Sequence, residues 1–417
     1  MAPTSDLAYE PVCKKALTND FDASRTTLFQ TVFNLINTFI GGGLLTVPFA
    51  FSLGGAATAN AVVVVAMMNW ATSLFLGHAL DKVEKLRPDI PRADLDMKEL
   101  AGVVFGSVGR QVVGVVLVLE VCVAVVTFLI LIGSNVNLIC GAPKSAVIVA
   151  AGCLATMALW LPMSKIAMLS GLSVLCMFGA LVSLVVCGTL VAWSDKDPSE
   201  HVVLNVEKLP SAVGLLVFCF SNLPCVPNMR ASMRSVEEFP RAVNISFLFT
   251  IPYYIAIGVL GYYFFGDATK PNFMANYVEV PGMPYLNVFV GFKLASSALF
   301  AVKLQFAAPL CSAAVLQALG FGAEGGAEVA GRIIAARAVF TVASVACAIF
   351  ARDALGRVAE LTGAVLTMTL SLFFPVGAYA GARRLAGEPL AWWEALGLGG
   401  MFCVGLGLTA SDILRRL

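Results

Sequence analysis

Charge and histidine are what this chain has least of. Asp, Glu, Lys and Arg make up 13% of its 417 residues and the net charge is +1, so it carries no basic field of the kind that holds nucleic acid. Two histidines, His78 and His201, are too few for a histidine-built metal site. There is no histidine-rich box and no G-x-S-x-G elbow, which removes the usual machinery of a membrane-embedded enzyme. No connection between apolar runs is long enough for a soluble domain; the longest, Asp81 to Phe105, predicts one short surface helix from Asp94 to Phe105. No cleavable leader pattern precedes the first apolar run, so Thr26 onward is expected to act as an uncleaved anchor behind a cytosolic tail, residues 1–25. The eleven cysteines fall almost entirely inside apolar runs, and no structural disulfide is expected.

Apolar sequence is what the chain has in quantity. Hydrophobic residues make up 59% of it and the mean hydropathy is +0.87, which defines a polytopic membrane protein. Runs of the length that crosses a hydrocarbon layer of ~30 Å fall at about 26–54, 56–80, 109–133, 145–161, 164–193, 211–233, 239–266, 285–318, 328–351, 358–382 and 390–414. They predict an all-α protein of eleven transmembrane helices. Connections on one side carry 16 Lys and Arg residues and those on the other carry 8, which predicts a cytosolic amino terminus.

Two of these runs contradict themselves. Span 1 reads NLINTFIGGGLLTVPFAF over residues 34–51, with Gly41, Gly42, Gly43 and Pro48 near its middle. Span 6 reads VFCFSNLPCVPNM over residues 217–229, with Ser221, Asn222, Pro224 and Pro227 inside it. Irregular backbone at membrane depth is tolerated only where it is buried in protein or lines a cavity. Both breaks are therefore expected to face inward, although close packing through small residues would also explain the glycines. Two broken spans five helices apart predict an inverted five-plus-five repeat, residues 26–193 and 211–384, with the span at 390–414 outside it.

The span 1 run resembles the amino acid/auxin permease family, whose first span reads close to N-x-x-G-x-G-x-L-x-x-P-x-A. FCFSNLPCVPNM in span 6, ELTGAVLTMTLSLFFPVGAY over residues 360–379 and DMKELAGVVFG over residues 96–106 are similar to the corresponding stretches of that family. The resemblance implies a LeuT-like fold and secondary transport of amino acids. Amides freed at Gly41 to Gly43 would hold a carboxylate, and carbonyls freed near Phe220, Ser221 and Asn222 would accept from an ammonium. Asn37 resembles an asparagine that some sodium-coupled relatives use near their ion, and Phe220 is the candidate aromatic gate, with Phe218 facing lipid as the other reading. On these grounds Gly42→Leu is expected to abolish uptake and leave surface expression intact.

Glu120 in span 3 and Lys303 in span 8 both fall near mid-span. Ionisable residues there cost several kcal/mol unless paired or hydrated, which makes them functional candidates. The fold implied by the resemblance makes spans 3 and 8 neighbours, so the two are expected to pair. Lys303 also lies where sodium-coupled members of such folds place a hydroxyl ligand, and a tethered ammonium would replace that ion. Proton coupling or ion-independent exchange is therefore favoured, with Glu120 as proton acceptor or as the counter-ion of Lys303, and sodium is the alternative that Ser296 and Ser297 support. No cofactor is expected; the partners are a small, neutral amino acid and the bilayer, and the protein is expected to be a monomer. Arg230 and Arg234 are expected to meet lipid headgroups, with an inner gate against Glu237 or Glu238 as the other reading, and Lys293 to snorkel. A sensor with little flux and a channel are rival readings. The plasma membrane or a vacuolar or endolysosomal membrane is the expected site, and Tyr9-Glu-Pro-Val12 fits a tyrosine sorting signal.

Overall fold

The computed structural model describes residues 26–158, 170–194, 201–220, 223–279, 283–318 and 327–414. The amino-terminal tail with Tyr9, and the site candidates Ser221 and Asn222, lie outside the described residues. Span 1 is two helices, α1 (Leu28–Phe39) and α2 (Val47–Gly54), joined through a 3-10 stretch, Gly42–Thr46. Thr27 and Gln30 close α1 at its start with a reciprocal capping box, which satisfies backbone donors the first turn leaves open. The helix ends at Ile40, whose φ of −98° and ψ of 67° leave the helical region. The chain then bends by 43°. Pro48 occupies the first turn of α2, where its missing N–H costs nothing.

The remaining helices are α3 (Thr58–Leu86), α4 (Met97–Cys140), α5 (Lys144–Ala158), α6 (Ser170–Ser194), α7 (Leu209–Cys219), α8 (Val226–Ala231), α9 (Phe239–Phe265), α10 (Leu286–Ala318), α11 (Ala327–Ala351), α12 (Leu355–Thr362), α13 (Phe374–Leu385) and α14 (Trp392–Leu414). Among the described residues nine helices are long and apolar enough to cross a membrane, or ten when the bent pair of span 1 counts as one. The expected count of eleven is not reached because the fourth run is described only as the 15-residue helix α5. The surface helix expected over 94–105 is the first part of α4, from which Gly106 at φ 75° separates it; only glycine takes that conformation freely. The stretch 355–385 is not one regular helix: Gly363–Thr367 and Thr369–Phe373 are π-helical.

The two interrupted spans sit against each other at the centre. Within 209–231 and 355–385, 69% and 67% of the most apolar stretch is buried, whereas in α11 and α14 only 11% is. Residues Gly42 to Thr46 are all buried, so the break of span 1 faces protein and not lipid. The 3-10 stretch and α2 pack on α7, α9 packs on α1, α2 and α3, and α4 runs along α10 in the most extensive helix contact of the molecule. Thr26 and Met233 form an isolated parallel bridge, in which the Thr26 amide donates to the Ser232 carbonyl and the Arg234 amide donates to the Thr26 carbonyl.

Candidate functional site

At the centre of the bundle the carboxyl ends of α1 and α7 converge. Each carries carbonyls that no further helical turn satisfies, and each is the negative end of a helix dipole. The Lys303 ammonium, on α10, donates to the Ile40 carbonyl at 2.8 Å. It also stands 5.8 Å from the centre of the Phe300 ring, within reach of a cation–π attraction. The Tyr254 hydroxyl, on α9, lies 2.7 Å from the Phe39 carbonyl and 3.1 Å from the Cys219 carbonyl. The Gly43 carbonyl accepts from the Thr46 hydroxyl at 2.8 Å and from the Cys219 thiol at 3.2 Å.

The three glycines differ in their surroundings. A Cβ on Gly43 would lie 2.8 Å from the Cys219 Cα, and one on Gly42 would lie 3.0 Å from the Phe128 ring and 3.3 Å from Leu304. Gly41 has room, its nearest neighbour being the Thr38 carbonyl at 3.6 Å. Asn37 Oδ1 is buried, and no described residue donates to it. Phe220 is fully buried, 4.9 Å edge-on to Tyr254 and stacked on Phe247 at 6.3 Å. Phe218 is buried as well, so neither of the two faces lipid.

The structure gives the two mid-span charges different partners. Glu120, on α4, is buried and its Oε1 accepts from the Thr367 hydroxyl at 2.7 Å, whereas Lys303 binds Ile40. Spans 3 and 8 are neighbours as expected, yet among the described residues Lys303 is joined to the Ile40 carbonyl and Glu120 to the Thr367 hydroxyl in place of the expected contact with each other. Helix contact fixes which spans touch, and the break carbonyls, which only the three-dimensional arrangement reveals, compete for the ammonium. Ser296 and Ser297 are each engaged, the first with the Phe292 carbonyl and the second with the Met274 sulfur.

One other expectation is corrected. Arg230 does not reach headgroups: it is 3% exposed and forks onto Asp81 and, at 2.8 Å, Glu84, both on α3. Arg92 completes the cluster on Glu84 at 2.7 Å. Lys293 meets Glu279 at 3.5 Å. Sequence reasoning missed Tyr254, Thr367 and the acidic partners of Arg230. Signals for two of them were present, a tyrosine pair placed mid-span and a run of hydroxyl residues in TGAVLTMTLS over 362–371.

A broken central helix pair lies inside this all-helical, multi-pass membrane fold, and solved structures of LeuT-like fold resemble it. Mhp1 in an inward-facing conformation superposes with a TM-score of 0.58 at 13% identity, covering 95% of this chain and 92% of that one. A manganese transporter of Eremococcus coleocola superposes with a TM-score of 0.52 at 12% identity, covering 93% and 94%. At such identities the likeness is one of fold alone. The family described as transmembrane amino acid transporter protein matches residues 24–413, and the chain belongs to that family. Amino acid transporter AVT1C of Arabidopsis thaliana is 28% identical over 276 residues, 62% of this chain and 48% of the relative. Amino acid transporter AVT1I of the same plant is 28% identical over 269 residues, 60% and 62%. The chain thus spans from about half to three fifths of the length of these relatives.

Proposed function

We propose that this protein carries an amino acid across a membrane by alternating access, with the ligand held between the breaks of spans 1 and 6. The observation that carries the reading is the convergence of two half-helix carboxyl ends beside a buried glycine run. An amino acid offers an ammonium and a carboxylate, and this place offers carbonyls and amides. Family membership and amino acid transporters among the relatives support the substrate class. In this reading α5 completes a set of eleven spans, and spans 1–5 and 6–10 form two inverted halves. The amino terminus is cytosolic.

Proton coupling is part of the proposal. An ammonium tethered on α10 already serves the Ile40 carbonyl, a position a free metal cation would otherwise have to fill. Loss of its proton would release that end of α1, and Glu120 is the second candidate proton carrier. The test is uptake by purified protein in liposomes across a labelled amino acid panel, with proton and sodium gradients imposed separately. Accumulation driven by an inward proton gradient, without sodium, is expected. Uptake that scales with external sodium at fixed pH overturns the proton assignment, and no uptake of any amino acid overturns the substrate class.

A further inference from the structure

The Tyr254 hydroxyl stands between the two broken spans. Tyr254 Oη has a single proton to give, and two carbonyls, Phe39 O on span 1 and Cys219 O on span 6, lie within its reach at 2.7 and 3.1 Å. Its ring is fully buried and locked edge-on against Phe220, the residue at the span 6 break. Phe247 stacks on Phe220 and contacts Phe39 at 4.6 Å, so aromatic rings from spans 1, 6 and 7 fix where the hydroxyl can stand. Together with Lys303 on Ile40 O, this chain's own donors serve the carbonyls at both half-helix ends. In the proposed reading those same carbonyls are the acceptors that a ligand's ammonium would need.

We propose that the Tyr254 hydroxyl is a removable tie. It holds the carboxyl ends of α1 and α7 together while the carrier is empty, and it gives up its acceptor to the ligand's ammonium when the site fills. The proposal rests on the amino acid reading above and adds to it a positioning residue on span 7. The exchange is favourable because an ammonium forms charge-assisted hydrogen bonds, stronger than those of a neutral phenol. It also sets a cost on the empty state: without the tie, two buried carbonyls and two like dipole ends face each other unserved.

Tyr254→Phe keeps the ring and deletes the tie. Because the ligand no longer competes with the phenol, KM for the transported amino acid is expected to fall ~3- to 10-fold, the worth of one neutral hydrogen bond. Net uptake is expected to slow, since the empty carrier must return without its tie, while exchange between two filled sides stays near the wild-type rate. A role in scaffold stability alone would lower both rates together and leave KM unchanged or raised, and that outcome overturns the proposal. Wild-type uptake run alongside separates this from failure of the amino acid reading. Two measurements do not depend on the rate of uptake. With Cys219 as the only cysteine of the full chain, its alkylation by N-ethylmaleimide is expected to quicken in Tyr254→Phe, and an equal rate in the two proteins overturns the tie. Should that variant not fold, 3-fluorotyrosine at position 254 of the otherwise native chain supplies the second: its fluorine resonance is expected to move when the transported amino acid is added, and an unmoved resonance overturns the exchange of partners.

Discussion

The glycines at 41, 42 and 43 serve different ends. Gly43 lets span 1 touch the Cys219 backbone of span 6, and Gly42 seats span 1 between Phe128 and Leu304. A leucine at 42 would displace both neighbours, so Gly42→Leu would lose uptake by spoiling the packing and does not report on ligand binding. Gly41 is the better probe. A methyl group there meets no closer atom than 3.6 Å, so Gly41→Ala is expected to fold normally and intrude only on a ligand approaching its amide. KM for the transported amino acid should rise about 5-fold or more, the loss of a hydrogen bond to a charged group, with an unchanged elution profile in detergent. An unaltered KM would remove the Gly41 amide from the site. Lys303, Glu120 and the glycines were legible in the sequence because each violates the apolar rule of a span. The tyrosine pair at 253 and 254 marked its span as unusual, but what the Tyr254 hydroxyl meets depends on two helix ends arriving from opposite directions, and no local pattern encodes that meeting.

At the scale of elements, the sequence marked both interruptions because proline and glycine punctuate helices. It did not show how prolines are used. Pro48, Pro210, Pro227, Pro240 and Pro375 each stand in the first turn of a helix, where they start new segments. The π-helical stretch of span 10 was invisible because no proline and no glycine after Gly363 lies within it, and it packs closely on α7. Gly363, at the start of that stretch, shows the constraint. A Cβ there would fall 1.8 Å from the Gly214 carbonyl and 2.8 Å from the Phe218 amide. These are backbone atoms of α7, which cannot swing aside. Gly363→Ala is therefore expected to lower thermal stability in detergent by about 1–3 kcal/mol, the usual cost of overpacking. Gly397→Ala in α14, with nothing within 4 Å, is the matched control and should be neutral or slightly stabilising. Equal melting of the two variants would refute the packing account.

Across the whole molecule, the largest departure from the sequence reading is the cluster on one rim. Arg230 follows the broken span 6, and its partners Asp81 and Glu84 end span 2. The carboxylates keep 42% and 25% of their side-chain surface open while Arg230 keeps 3%, so the guanidinium is the member that suffers most from losing its partners. Positional charge counting assigned Arg230 to lipid headgroups, because a count of basic residues carries no information about which acids face them. A double-mutant cycle of Arg230→Ala with Asp81→Asn, read from thermal midpoints, should give a coupling of about 1–2 kcal/mol. A coupling near zero would leave Arg230 as a packing residue only. On the same rim the short backbone pairing of Thr26 with Met233 yokes α1 to α8. The segments flanking the two breaks are thus joined to each other through Thr26 and Met233 and, through Arg230 of α8, to the end of α3.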